Sequence, residues 1–196
     1  YYANNSSSQL ANTISTIANN VTSYLSANSD DIANSLKDLS TDDFTYYSGA
    51  RWSSNSANVY IETTNETLVN AYKEAINTWN ATGVFTFNVV SDASSADIIA
   101  TEYSDASSKA AGFAETETNA LTNHITHVDV KLNTYYLTEN DYGYTHNRIV
   151  YTAEHELGHA IGLDHDDSEE SVMQSSGSYY GIQDVDIEKV QSLYAS

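Results

Sequence analysis

The chain has 196 residues, enough for one sizeable hydrophobic core or for one domain with a small extension. It sets 27 acidic side chains against 7 basic ones, a formal charge of −20 that speaks against nucleic acid as a partner. With no cysteine, disulfides and thiolate zinc sites are excluded, and no run is long and apolar enough to span a bilayer.

Residues 1–50 read as a helical segment. Ile14, Ile17, Ala18, Val21 and Leu25 recur at helical spacing, as do Ile32, Leu36 and Leu39 after the capping run Asn28, Ser29, Asp30 and Asp31. A turn is expected at Ser40-Thr41-Asp42-Asp43. Tyr1 to Asn5 lacks the charge and apolar core of a signal peptide, so an exported chain would have lost its signal ahead of residue 1. The wealth of Asn, Ser, Thr and Tyr suits an exported, extracellular or surface protein.

From residue 57 the pattern changes to short strands around one helix. Val59-Tyr60-Ile61 is a strand candidate, and 66–80 a helix with Leu68, Val69, Tyr72, Ile76 and Trp79 on one side. Strands are expected at 84–90, at 96–103 and, with alternation in His127-Val128-Asp129-Val130, at 125–132. Between the last two, Ala110 to Ala114 would suit an edge strand. Its residues Gly112, Phe113 and Ala114 are candidates for holding a substrate's backbone by strand addition.

The run from His155 to His165 carries the chemistry. On a helix, residues i and i+4 share a face, so His155 and His159 can present both imidazoles to one metal ion. Glu156 lies beside the first ligand, placed to act as a general base without taking a coordination position. His165 is six residues past His159 and cannot reach the same ion from a continuous helix, so the chain must turn, and Gly162 tolerates the break most easily. Three neutral imidazoles with one open position describe a catalytic zinc site. Imidazoles bind metal only when unprotonated, so acidification should expel the ion and end activity.

This stretch, H-E-x-x-H-x-x-G-x-x-H, resembles the metzincin zinc endopeptidases and more closely their matrixin-like branch. The resemblance implies an α+β fold with a twisted, mostly parallel five-stranded sheet, an active-site helix, a Met-turn and a C-terminal helix. Met173, the only methionine, follows His165 at the distance the Met-turn requires; a lone methionine is otherwise ordinary core filler. Arg51-Trp52, the helix at 68–79, Phe85-Thr86-Phe87 and Ala96-Asp97-Ile98-Ile99 are similar to the family's early elements, and 182–194 to its C-terminal helix. The implied division is an N-terminal helical extension or pro-segment at 1–50 and a catalytic domain at 51–196. The family's cysteine-bearing latency motif has no counterpart here, so inhibition by the N-terminal segment would need a carboxylate or steric blockage. That segment packing elsewhere is the alternative.

The implied activity is a secreted, monomeric zinc-dependent endopeptidase acting on a protein or peptide substrate, with one catalytic Zn2+. A non-catalytic zinc-binding adhesin on the same fold is the competing reading, which the presence of Glu156 disfavours. Ser175 stands where some metzincins have a metal-assisting tyrosine, and Tyr179 is a candidate wall of the substrate pocket. His124, His127 and His146 are read as ordinary hydrogen-bonding residues rather than a second zinc site. Asp92, Asp97, Asp105, Glu115, Glu117 and Asp129 offer the hard oxygens Ca2+ takes, with no recognisable calcium spacing.

Overall fold

A computed structural model describes residues 39–44 and 46–195; the helices expected at 14–25 and 32–36 lie outside the described residues. Six strands form one sheet in the order β1-β5-β6-β4-β2-β3. They are β1 (Ser40–Phe44), β2 (Ser56–Ile61), β3 (Thr86–Val89), β4 (Ile98–Tyr103), β5 (Ala110–Thr118) and β6 (Ile125–Asn133). All neighbouring pairs run parallel except β5 with β6. Parallel strands are buried on both faces, which explains why Val59, Ile98, Ala100, Val128, Val130 and Leu132 are completely enclosed.

Three helices complete the fold: α1 (Glu66–Ala81), α2 (His146–Ile161) and α3 (Asp184–Leu193). Helix α1 starts where the Asn65 side chain accepts the Leu68 N–H, with Glu66 in the first turn favourable to the helix dipole. Its buried residues Leu68, Ala71, Tyr72, Ala75, Ile76 and Trp79 recur every three to four positions and form one stripe. That stripe meets α2, where the Trp79 indole N–H donates to the Glu154 carbonyl at 3.0 Å. Removing water from this contact is the main stabilising term, at about 25 cal/mol per Å² of apolar surface. Helix α2 is capped by Thr145, whose hydroxyl accepts the Arg148 N–H, and is buried almost all round from Ile149 onward.

Five of the strands are those expected, with β5 running four residues further. The sixth is a correction. Ser40-Thr41-Asp42-Asp43, expected as a turn for its polar composition, is instead the extended strand β1, and it covers the edge that β5 was expected to expose. Short polar residues are poor strand formers by propensity, and here tertiary pairing overrides it. Leu39, grouped by spacing with a helix, lies buried at the entry to this strand.

Candidate metal centre and cleft

Helix α2 ends as its sequence requires. Gly162 adopts φ 125°, a conformation other residues rarely take, and its N–H returns to the carbonyls of Gly158 and His159 at 3.2 and 3.0 Å. The chain reverses and brings His165 back beside His155 and His159. The three rings stand with centroids 4.8 to 5.2 Å apart.

Two of the imidazoles are oriented from behind. His155 Nδ1 lies 2.7 Å from the Val172 carbonyl, and His159 Nδ1 lies 2.8 Å from the Leu163 carbonyl. A carbonyl can only accept, so each Nδ1 carries the ring's proton and each Nε2 turns a lone pair to the common centre. All three Nε2 atoms meet one carboxylate, that of Asp42, at 3.0, 2.5 and 2.7 Å for His155, His159 and His165. An ionised carboxylate is also an acceptor. Lone pairs facing lone pairs in a buried space call for a cation among them, and His159 Nε2 makes no properly directed hydrogen bond despite its proximity to Asp42. The donor set, three imidazole nitrogens and a carboxylate oxygen, suits tetrahedral zinc. Among the described residues this is the only cluster of three or more His, Asp or Glu whose ligand atoms are close enough to share an ion.

Glu156 sits fully enclosed beside this cluster, and neither of its carboxylate oxygens has a hydrogen-bond partner. Burial, reinforced by the neighbouring Asp42 charge, holds its carboxyl well above the usual range. Burial would also raise Asp42, but His155 and His159 outweigh it and keep that carboxyl strongly acidic. For His159 burial dominates and lowers the ring's basicity, as suits a ligand.

Met173 lies 1% exposed in a tight turn, its sulfur packed against α2 at Gly158. Asp186, at the start of α3, fixes that turn by accepting from Ser171 Oγ at 2.5 Å and from the Val172 and Gln183 N–H groups at 2.9 Å each. Since the Val172 carbonyl orients His155, Asp186 supports that imidazole through one intervening residue. Sequence reasoning did not single out Asp186; its place as the third helical residue after Gln183, a capping position, was the available signal.

Past the histidines, β1 lies between β5 and the segment 174–176, with Thr41 bonded to the Gln174 and Ser175 carbonyls. On its other side Gly112, Phe113 and Ala114 of β5 are in register with Asp42, Asp43 and Phe44. A Cβ added at Gly112 would meet the Glu156 carboxylate, so a larger residue there displaces that side chain. Tyr179, by contrast, is 57% exposed, and its ring and that of Tyr144 sandwich the Arg148 guanidinium, 4.5 and 4.4 Å from the ring centres. Arg148 in turn donates to the Gly177 carbonyl, so it pins the loop that follows the Met-turn.

The remaining histidines do not gather. His146 meets Glu74, His127 meets Asp129 and His124 begins the approach to β6. Of the carboxylates considered for calcium, Asp92 and Asp105 accept bonds from Ser94 and Ser107 in their own loops, and Asp97 accepts the Asn58 N–H. Among the described residues no helix is long and apolar enough to cross a membrane.

The family model described as Matrixin matches residues 51–195. No curated protein matches the chain.

Proposed function

This chain belongs to the matrixin family of zinc metalloendopeptidases, and from that premise we propose that it is a secreted enzyme that cuts extended protein substrates using His155, His159, His165 and Glu156. The observation that carries the reading is the convergence of three Nε2 lone pairs, two of them fixed by backbone carbonyls, beside a carboxylate with no structural partner. A purely structural role leaves a buried, unbonded Glu156 as an uncompensated cost of about 1–3 kcal/mol or more. A general base needs that isolation, since a proton-accepting oxygen already engaged in a hydrogen bond is a weaker acceptor.

The three histidines would hold the metal, with the Val172 and Leu163 carbonyls setting ring orientation. Zinc bound there would supply Lewis-acid polarisation of a substrate carbonyl and acidification of a bound water. Glu156 is the group placed to accept a proton from water at the site and return it to the departing amine. Glu156, beside the histidines and without a hydrogen-bond partner, has oxygens free for both transfers. The β5 wall at Gly112, Phe113 and Ala114 receives the substrate backbone by strand addition, and Tyr179 borders the cleft near the loop that Arg148 secures. The pairing of the extended five-residue strand β1 with β5 is the observation that supports this reading.

The test compares the chain with its Glu156→Gln variant on unfolded casein, both carrying Asp42→Ala so that the histidines are free of that carboxylate, with zinc content measured in parallel. Expected is a loss of about 10²- to 10⁴-fold in cleavage rate, the usual worth of a general base, at unchanged zinc stoichiometry. Equal rates would refute the assignment of Glu156. Recovery of the intact chain from the medium, rather than from lysed cells, tests export.

A further inference from the structure

We infer that Arg148 is a positioning residue for substrate: it locks the segment 174–179 into a wall that pairs with an extended chain, and so sets how tightly substrate is held rather than how fast it is cut. This rests on the zinc peptidase reading above and names a determinant of substrate binding at that same site.

The wall is a short stretch with few bonds of its own. Gln174 and Ser175 offer their carbonyls to Thr41, and Ser176 bridges antiparallel to Ser40, so three consecutive residues pair with the extended strand beside them. The chain then turns sharply. Gly177 takes φ 88° and Ser178 φ 50°, and a serine in the left-handed region persists only where its surroundings over-determine it. A Cβ on Gly177 would meet the Tyr179 ring, which folds back over it.

Helix α2 supplies the constraint. Arg148 Nε donates to the Gly177 carbonyl at 3.2 Å, Nη2 donates to the same oxygen, and Nη1 reaches the Gly143 carbonyl at 3.4 Å. One helical turn on, Thr152 Oγ1 lies 2.9 Å from the buried Ser178 Oγ. Two residues further, the Glu154 carboxylate accepts the Ile182 N–H at 3.2 Å. The loop 177–182 is thus fastened at both ends and near its middle to the helix that carries His155 and His159, and Arg148 holds the end that adjoins the wall.

The charge of Arg148 is not offered to a ligand. Tyr144 and Tyr179 flank the guanidinium, 4.4 and 4.5 Å from their ring centres, and its N–H groups are spent on carbonyls. Among the described residues it pairs with no carboxylate, although the chain has 27 acidic side chains against 7 basic ones. The arrangement needs a planar fork that sets two N–H groups on one oxygen while both faces stay stacked, which a lysine ammonium cannot do. Arg148 touches neither Glu156 nor the three histidines, so its effect on binding is separable from the chemistry.

The experiment uses the full chain carrying Asp42→Ala, which frees the histidines of that carboxylate, as parent and with Arg148→Ala, Arg148→Lys or Tyr179→Leu added. KM and kcat are measured on a peptide copied from a site that the parent cuts in casein. Zinc content and backbone hydrogen exchange, read by mass spectrometry, are measured for every form whether or not it turns over. Arg148→Ala should raise KM about 10-fold with kcat changed less than about two-fold. It should speed exchange in 174–182 while leaving 112–118 and the zinc content unchanged. Arg148→Lys should resemble the alanine variant. Tyr179→Leu, at a side chain 57% exposed, keeps both bonds to Gly177 and should raise KM by less; this arm stands even if an Arg148 variant folds poorly. Unchanged KM and exchange in Arg148→Ala, full rescue by lysine, or a fall in kcat at unchanged KM would each overturn the inference, as would exchange that rises uniformly. A parent that cuts nothing, with exchange still rising only in 174–182 in Arg148→Ala, supports the fastening of the wall and sinks the peptidase reading instead.

Discussion

Replacing Asp186 should damage both stability and metal binding, although the residue touches no ligand. Its carboxylate is completely buried and accepts from one hydroxyl and two backbone N–H groups at 2.5 to 2.9 Å. Bonds to a charged acceptor are worth about 1.5–3 kcal/mol each, and an abandoned buried donor costs about 1–3 kcal/mol. Ser171 can rotate its hydroxyl toward another acceptor; the Val172 N–H, fixed in a buried turn, cannot. Such terms overlap within one network, so we expect about 3–5 kcal/mol for Asp186→Ala. For a folded unit of this size that lowers Tm by about 10 °C. The displaced Val172 carbonyl no longer orients His155, so zinc affinity should fall about 10- to 100-fold. Asp186→Asn keeps one accepting oxygen but points an NH2 group at a donor, and should fall between wild type and the alanine variant. Calorimetry and chelator competition measure the two effects. A Tm shift under about 3 °C together with unchanged zinc affinity would refute the claim that this carboxylate supports the Met-turn.

Gly112→Ala, placed in an Asp42→Ala background that frees the histidines of that carboxylate, should lower kcat/KM about 100-fold by driving the Glu156 carboxylate from its position; retained activity would show that the base has room to move. Gly162→Ala forces a left-handed φ on alanine and sets its Cβ 2.6 Å from the Ala50 carbonyl oxygen; denaturant unfolding should register a loss of about 2–4 kcal/mol. Asn133 is fully buried and its side chain bonds to Asp105, Ser108, Ala110 and Tyr135. Asn133→Ala should cost about 2–4 kcal/mol and raise hydrogen exchange selectively in 104–109, and a uniform rise would count against a local role. Trp79→Phe removes the donor to the Glu154 carbonyl and part of a filled core volume, with an expected cost of about 2–3 kcal/mol by chemical denaturation.

The parts of this fold legible in the sequence are those whose physics is local. The stripe from Leu68 to Trp79 has a helical period, and the spacing of His155, His159, Gly162 and His165 encodes imidazole, imidazole, break and imidazole without reference to the rest of the chain. Asp42 could not be found that way. It lies 113 residues before its first histidine partner, and its segment reads as a turn because Ser, Thr and Asp favour turns by local hydrogen bonding. Nothing local distinguishes Asp42, which meets the three histidines, from Asp43 beside it. Only the alternation of a strand, known once β1 is paired with β5, turns one inward and the other to solvent. Asp186 was hidden for the same reason, its donors lying 14 and 15 residues away across a turn.

The end of α2 carries a structural debt created by its own function. Breaking the helix at Gly162 to return His165 strips the last carbonyls of their helical partners, and two are met by side chains from opposite ends of the family-matched region. Trp52 donates its indole N–H to the Ala160 carbonyl at 2.7 Å, and Tyr194 its hydroxyl to the Ile161 carbonyl at 2.7 Å, while the Trp52 backbone N–H reaches the same tyrosine oxygen at 3.2 Å. The start and finish of the catalytic body therefore touch at the helix that carries two of the three histidines. A circular permutant joining residue 195 to residue 51 through a short linker, with new ends cut in the exposed turn near Leu121, would keep that junction intact. Trimming the chain before Tyr194 would instead loosen His159 from a distance.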